Sequence, residues 1–285
     1  MARTAYDLLR ETLAEWWRDD ALRLGAALSY YTVFSLAPIL VVSVAVAGLV
    51  FGPEAASGRL VREMQGLLGP EGATVISTLI ERAAVRGDAG WAATALGLAT
   101  IALGASGAFG QLQYALNEIW NVETSPSRGL LGLVRDRFLS FSMVVVIGFL
   151  LLVALVVSAA LSALDDIAGM YGAVLQPNLA VLNFAASFAI VTFLFAAIFK
   201  VLPSTEIRWR DVWVGAAVTA GLFVIGKEAI GLYLGNTSVA SVYGAASSIV
   251  VVLVWVYYSS QILFLGAEFT QVFARRRGEA SRAAA

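Results

Sequence analysis

Long apolar runs separated by short polar breaks dominate the chain. Residues 24–51, 91–120, 138–163, 179–200, 212–234 and 247–273 are each mostly hydrophobic. About 20 such residues cross a ~30 Å hydrocarbon core as a helix. The runs are continuous rather than alternating, which argues against a membrane β-barrel. The pattern predicts an all-α integral membrane protein, a bundle of six transmembrane helices. Ahead of it, residues 1–23 form an amphipathic segment: Ala5, Leu9, Leu13, Trp16 and Trp17 recur at helical spacing, with Arg3, Arg10, Glu11, Glu15 and Arg18 between them. Such a helix suits the membrane interface, with tryptophans at headgroup level, or the surface of cytoplasmic loops. It is too charged for a signal peptide. Within residues 52–90, GRLVREMQGLL and ATVISTLIERAA predict two short amphipathic helices over the outer face. Residues 274–285 read as a basic tail.

Composition narrows the class. Charged residues make up 14% of the chain and its mean hydropathy is +0.80; soluble domains carry roughly 25% charge. The net charge of −1 gives no overall attraction to nucleic acid. The chain has no cysteine and no histidine. Thiolate chemistry, the commonest zinc ligand and the commonest general base are therefore missing, which weighs against an enzyme. No nucleotide-binding motif, metal cluster or cofactor signature is present. Positive charge sets the orientation. Of 19 Lys and Arg, 14 fall on the side that carries both termini, 4 fall in the first outer loop, and Lys227 lies inside a span. Both termini are thereby expected on the cytoplasmic side of the membrane.

Polar residues inside the runs are the candidates for function. The first span holds Ser29, Tyr30, Tyr31, Thr32 and Ser35 before Pro38, which removes a helical hydrogen bond and predicts a kink. Tyr31 and Ser35, one turn apart, share a face. The second span is rich in small residues and ends in Gln111, Gln113, Asn117 and Glu118. Asn183 lies near the outer end of the fourth. The sixth carries Tyr257, Tyr258 and Gln261, with Glu268 near its inner end. The fifth holds Lys227 and Glu228, each costing roughly 2.5–3.5 kcal/mol at membrane depth. Lys227 is 16 residues beyond Asp211, or roughly 24 Å, in the outer half of the hydrocarbon. Adjacent helical side chains diverge by about 100°, so the two are not expected to form an ideal pair. Their partners are sought on other helices or in water. The charges either line a polar cavity or form an interhelical cluster that fixes packing. On the same helix, GAAVTAG (215–221) suits close helix contact.

Taken together, SYYTVFSLAP (29–38), ALNEIW (115–120), GKEAIGLYL (226–234), VYG (242–244), WVYYS (255–259) and LGAEFT (265–270) resemble the YihY/BrkB family of bacterial inner-membrane proteins, over about residues 20–275. The resemblance implies a six-helix bundle. It marks Ser29, Tyr30, Tyr31, Pro38, Asn117, Gly226, Lys227, Tyr233, Tyr243, Gly244, Gly266 and Glu268 as characteristic positions; Glu228 is less typical. It also implies links to virulence and to envelope lipid export, and it brings a ribonuclease BN label. A metal-dependent nuclease needs a His/Asp cluster to hold metal and activate water, and this chain has no histidine. The expected function is transport of a lipid or other amphiphilic, anionic substrate through a polar cavity, without ATP hydrolysis. Lys227, Glu228, Ser29, Tyr30, Tyr31, Ser35, Asn183, Tyr257, Tyr258 and Gln261 would line that cavity. Pro38, Asn117, Glu118, Gly226, Tyr233, Tyr243, Gly244, Gly266 and Glu268 would shape or gate it. Membrane lipids are the expected partners, with no cofactor, metal or nucleic acid. A non-transporting scaffold or envelope assembly factor is the alternative.

Overall fold

The computed structural model describes residues 2–35, 107–122, 176–236 and 247–283, with short helical pieces at 57–58, 61–62, 65, 74 and 77–78. The regular structure of these residues is helical: α1 (Ala2–Arg18), α2 (21–35), α3 (107–119), α4 (Gln176–Val201), α5 (Trp209–Asn236) and α6 (Ser247–Ala283). Among the described residues, three segments are long and apolar enough to cross a membrane: Phe184–Val201 in α4, Trp209–Ile230 in α5 and Ile249–Gly278 in α6. The other three expected spans fall wholly or partly outside the described residues, as do Pro38, Tyr243 and Gly244 and most of the first outer loop.

A turn of two residues separates α1 from α2. Asp20 adopts φ 50°, a left-handed conformation that Asp tolerates better than most residues. Its N–H bonds Trp17 O, and its own carbonyl accepts from Arg23 and Leu24 at the start of α2. One residue thus ends one helix and starts the next. The end of α3 is similar: Asn121 sits at φ 51°, and the Val122 N–H bonds Asn117 O, closing a Schellman motif.

The core gathers where these ends meet the long helices. Ala21, Leu24 and Leu28 of α2 join Ala115, Leu116 and Ile119 of α3, Phe195 and Phe199 of α4, Val212, Ala216 and Ala220 of α5, and Phe264 and Ala267 of α6. In α2 the spacing i, i+3, i+7 turns one face inward, while Tyr30 and Phe34 stay exposed. Outside the core, Phe184, Phe193, Trp213, Ile225 and Ile249 remain exposed, the outward apolar surface expected of helices that meet lipid.

The α5–α6 contact is the tightest. A Cβ added to Gly215 would lie 1.8 Å from Thr270 Oγ1, and one added to Gly266 would lie 1.9 Å from Thr219 Oγ1. Each helix therefore offers a glycine to the other's threonine, four residues apart on both. The threonine hydroxyls donate back to their own helices, Thr219 to Gly215 O at 2.7 Å and Thr270 to Gly266 O at 2.6 Å. Small residues let backbones approach where burial from water supplies no drive between helices.

α6 runs on through Ala283, so the residues read as a basic tail are helical. The reason is the partner that the sequence alone did not supply. Arg276 Nε donates to Glu11 Oε2 at 2.6 Å and Arg275 Nη2 to Glu15 Oε1 at 3.0 Å. Arg277 Nη1 pairs with Asp211 Oδ1 at 3.0 Å. The charged face of α1 is latched to α6, and Tyr6, Leu9, Leu13 and Trp17 face away from it, exposed. Burial would raise the Glu11 carboxyl, but hydrogen bonds from Arg275 and Arg276 outweigh it and hold it below the ordinary glutamate value. The latch is then complete above that value and fails as pH falls through the lowered one.

Two outcomes follow. Gly266→Ala should cost about 1–3 kcal/mol by overpacking. Thr219→Gly in the same chain should recover part of that loss, giving a non-additive cycle in thermal unfolding of the detergent-solubilised protein. Buried Thr12 reports the latch: in this cysteine-free chain, labelling of Thr12→Cys should accelerate with Glu11→Arg. Adding Arg276→Glu should slow it again.

Candidate functional site

Lys227 and Glu228 lie in the second half of α5. Lys227 Nζ is 3.5 Å from Glu228 Oε1, with side-chain exposures of 40% and 73%. The two do approach each other, since both side chains are long enough to bend sideways across the roughly 100° between them, but the contact is long and open. A pair so open is worth about 0–1 kcal/mol in water. It neutralises charge without burying it. Next to it, Gly226 makes room for α6: an added Cβ would lie 2.4 Å from Ile262 Cδ1 and 3.3 Å from Tyr258 Oη. Tyr258 thus reaches α5 one residue from Lys227. Tyr257 is half-buried, as Tyr258 is.

The hydroxyls of α2 divide. Ser29 is buried and donates to Gly25 O at 2.8 Å. Ser35 is buried beside Gly107 of α3, which Tyr31 also approaches. Tyr30 and Tyr31 are exposed, with rings 5.8 Å apart and edge to face. Gln261 crosses from α6 to α2, where Nε2 donates to Ala21 O at 3.3 Å. It occupies the space that a side chain at Gly25 would need. Ser29 therefore bonds within its own helix, while Gln261 joins α6 to α2. Asn183 and Tyr233 lie in α4 and α5, with side chains outside the described residues.

The other concentration of polar groups lies at the end of the bundle where the arginines gather. Asn117 is buried in α3. Its Oδ1 accepts from the Ser204 N–H at 2.7 Å and its Nδ2 donates to Ser204 Oγ at 3.3 Å. Gln113 Nε2 adds a bond to Leu202 O at 3.2 Å. The α4–α5 turn is therefore pinned to α3, and Lys200 closes it from within by donating to Ile207 O at 2.6 Å. A cleft of about 290 Å³ opens beside this turn, between Trp120, residues 206–208 with Arg210 and Asp211, and Ala274 with Arg277 and Gly278. Glu118, on the other face of α3, is exposed.

Beneath the α1–α2 turn lies Glu268, 0% exposed, on α6. Neither of its oxygens has a donor when every carboxylate is ionised. Asp19 meets it from the end of α1, and with a proton between them the two carboxyls form a hydrogen bond. Burial pushes the Asp19 carboxyl above its ordinary value; Glu15 and Glu118 push the same way, against the Glu268 hydrogen bond and Arg18. The sequence offered Glu268 as a gating candidate but gave Asp19 no role. The one available signal was the acidic pair Asp19–Asp20 interrupting an otherwise helical pattern. Among the described residues, no group of three or more acidic side chains is arranged to hold a metal ion.

The chain is similar to membrane proteins of several bacteria. UPF0761 membrane proteins of Alkalilimnicola ehrlichii and Verminephrobacter eiseniae are each 28% identical to it over 95% of this chain, which covers 59% and 63% of their own lengths. That of Rhodospirillum centenum is 28% identical over 93% of this chain and 57% of its own. The chain thus spans about three fifths of the length of these curated relatives. No solved structure matches it. The family model described as Virulence factor BrkB matches residues 12–285, and with its apolar helices the chain is a membrane protein that belongs to the BrkB family.

Proposed function

We propose that this protein moves a lipid or other amphiphilic, anionic substrate across the bacterial inner membrane along a polar path in a six-helix bundle, without ATP hydrolysis and without enzymatic chemistry. Both termini lie in the cytoplasm in this reading, by the distribution of Lys and Arg. The exposed stripe Tyr6, Leu9, Leu13 and Trp17 rests α1 in the headgroup layer. The observation that carries the proposal is Lys227. It lies in an apolar helix, its described ion partner is its neighbour Glu228, and both stay open to their surroundings. A lysine kept only to fix packing would be enclosed by polar groups of other helices. One left open and loosely paired is suited to exchange Glu228 for an anionic headgroup.

A scaffold remains the second reading, and the Gly215–Thr270 and Gly266–Thr219 contacts favour it, since interlocked helices resist the rearrangement that transport needs. One experiment separates the two. Lipids that co-purify with the protein are identified by mass spectrometry, and their flux is measured in liposomes. Lys227→Met should lower the flux about tenfold or more, the loss of ~1.4 kcal/mol of stabilisation, at unchanged protein level. Full flux in the variant would sink the role of Lys227. A variant that fails to accumulate would favour the scaffold.

A further inference from the structure

Buried ionisable groups outside the Lys227 region point to a second kind of site. Glu268 is enclosed by its own helix, by the α1–α2 turn and by the core beneath it. Its two oxygens are without donors if ionised. The charged groups that face the pair are few. From α1 come Glu15 and Arg18, from α3 comes Glu118, and from α6 itself comes Arg275. Arg275 is committed elsewhere, since its Nη2 bonds both Glu11 and Glu15. Arg18 is paired with Glu15 at the exposed rim. Among the described residues, no cation is therefore free to neutralise a second carboxylate at Glu268.

We propose that Asp19 and Glu268 together bind one proton, and that this proton holds the α1–α2 turn on α6. With the proton present, one carboxyl donates to the other and the buried oxygens are satisfied. When it leaves to water, two adjacent carboxylates remain with Glu15 and Glu118 around them. Like charges so placed do not both ionise without separating or hydrating. α6 is locked to α5 through Gly266 and Thr270, so the side that moves is the turn, hinged at Asp20. The site is a proton-binding switch at the arginine-rich end of the bundle. It goes beyond the transport reading and stands without it.

The sign follows from Asp19. Its carboxyl titrates higher in the folded protein than in the unfolded chain. Its contribution is complete at pH below the ordinary aspartate value and is lost as pH rises through the raised one.

Infrared titration of the whole chain in lipid nanodiscs tests the proposal. A protonated-carboxyl band should persist near pH 7, where ordinary Asp and Glu with pKa values of about 4 are ionised. Glu268→Gln should abolish it, and Asp19→Asn should move its midpoint to lower pH. In parallel, the labelling rate of Thr12→Cys relative to the exposed control Ala14→Cys should climb with pH. The same ratio should stay low and flat with Glu268→Gln, whose amide keeps the hydrogen bond and does not titrate. Absence of a neutral-pH band overturns the proposal, as does a band that survives Glu268→Gln. If Glu268→Gln fails to accumulate, Asp19→Asn decides alone: an unchanged midpoint overturns the proposal and a lowered one supports it.

Discussion

Everything described at the arginine-rich end depends on how closely α5 approaches α6. Two glycines and two threonines set that distance. Each threonine side chain fills the recess over the partner's glycine, and its hydroxyl is satisfied by its own backbone. No polar group is left over at the contact, and dispersion between nearly touching backbones replaces the burial from water that a soluble bundle relies on. Glu268 lies between Gly266 and Thr270 in sequence. It lies about 200° around the helix from each, so the same seating of α6 on α5 turns Glu268 the other way, under the α1–α2 turn, at zero exposure. A carboxyl so enclosed has no donor for its oxygens if it ionises.

The docking of α1 is then held by two electrostatic devices of opposite sign. The Glu11 latch requires an ionised carboxylate and weakens in acid, because Arg275 and Arg276 hold that carboxyl below its ordinary value. The Asp19–Glu268 pair requires a proton and weakens in alkali, because burial holds Asp19 above its ordinary value. α1 is accordingly docked most firmly in a window between the two. Neither device depends on the exposed stripe of Tyr6, Leu9, Leu13 and Trp17, so release of the charged face leaves the apolar face free to remain at a lipid surface.

The helical class and the α4, α5 and α6 spans were legible because an apolar run of membrane length needs no tertiary information. Lys227 was equally legible, as a charge in such a run. The arginines at 275–277 were not. Basic residues after an apolar run ordinarily mark the membrane boundary, and only acids some 260 positions earlier, Glu11 and Glu15, turn them into a continued helix with a docked partner. Asp19 was illegible for a related reason. The Asp19–Asp20 pair marks a break in the helical pattern but no partner, and the role of Asp19 comes from a turn at Asp20 that folds it over a helix from the far end of the chain. Asn117 was marked by resemblance, and its use in pinning the 202–204 turn is again a long-range pairing.

The interlock also limits how the two ionisable sites can communicate. Gly215 faces Thr270, Thr219 faces Gly266, and Gly226 faces Tyr258 and Ile262. In this antiparallel register Lys227 stands level with Tyr258, about ten residues or roughly 15 Å along the axis from Glu268. No described polar chain joins the two levels. Sliding α5 past α6 would drive each threonine out of its glycine recess and onto a neighbouring side chain, which a close-packed contact resists. A proton leaving Glu268 therefore changes Lys227 only if α5 and α6 move together as one body against their neighbours. In that arrangement the α1–α2 turn is the part that yields, and α2, which carries Tyr30 and Tyr31 directly beyond it, is the element through which its movement reaches the middle of the bundle.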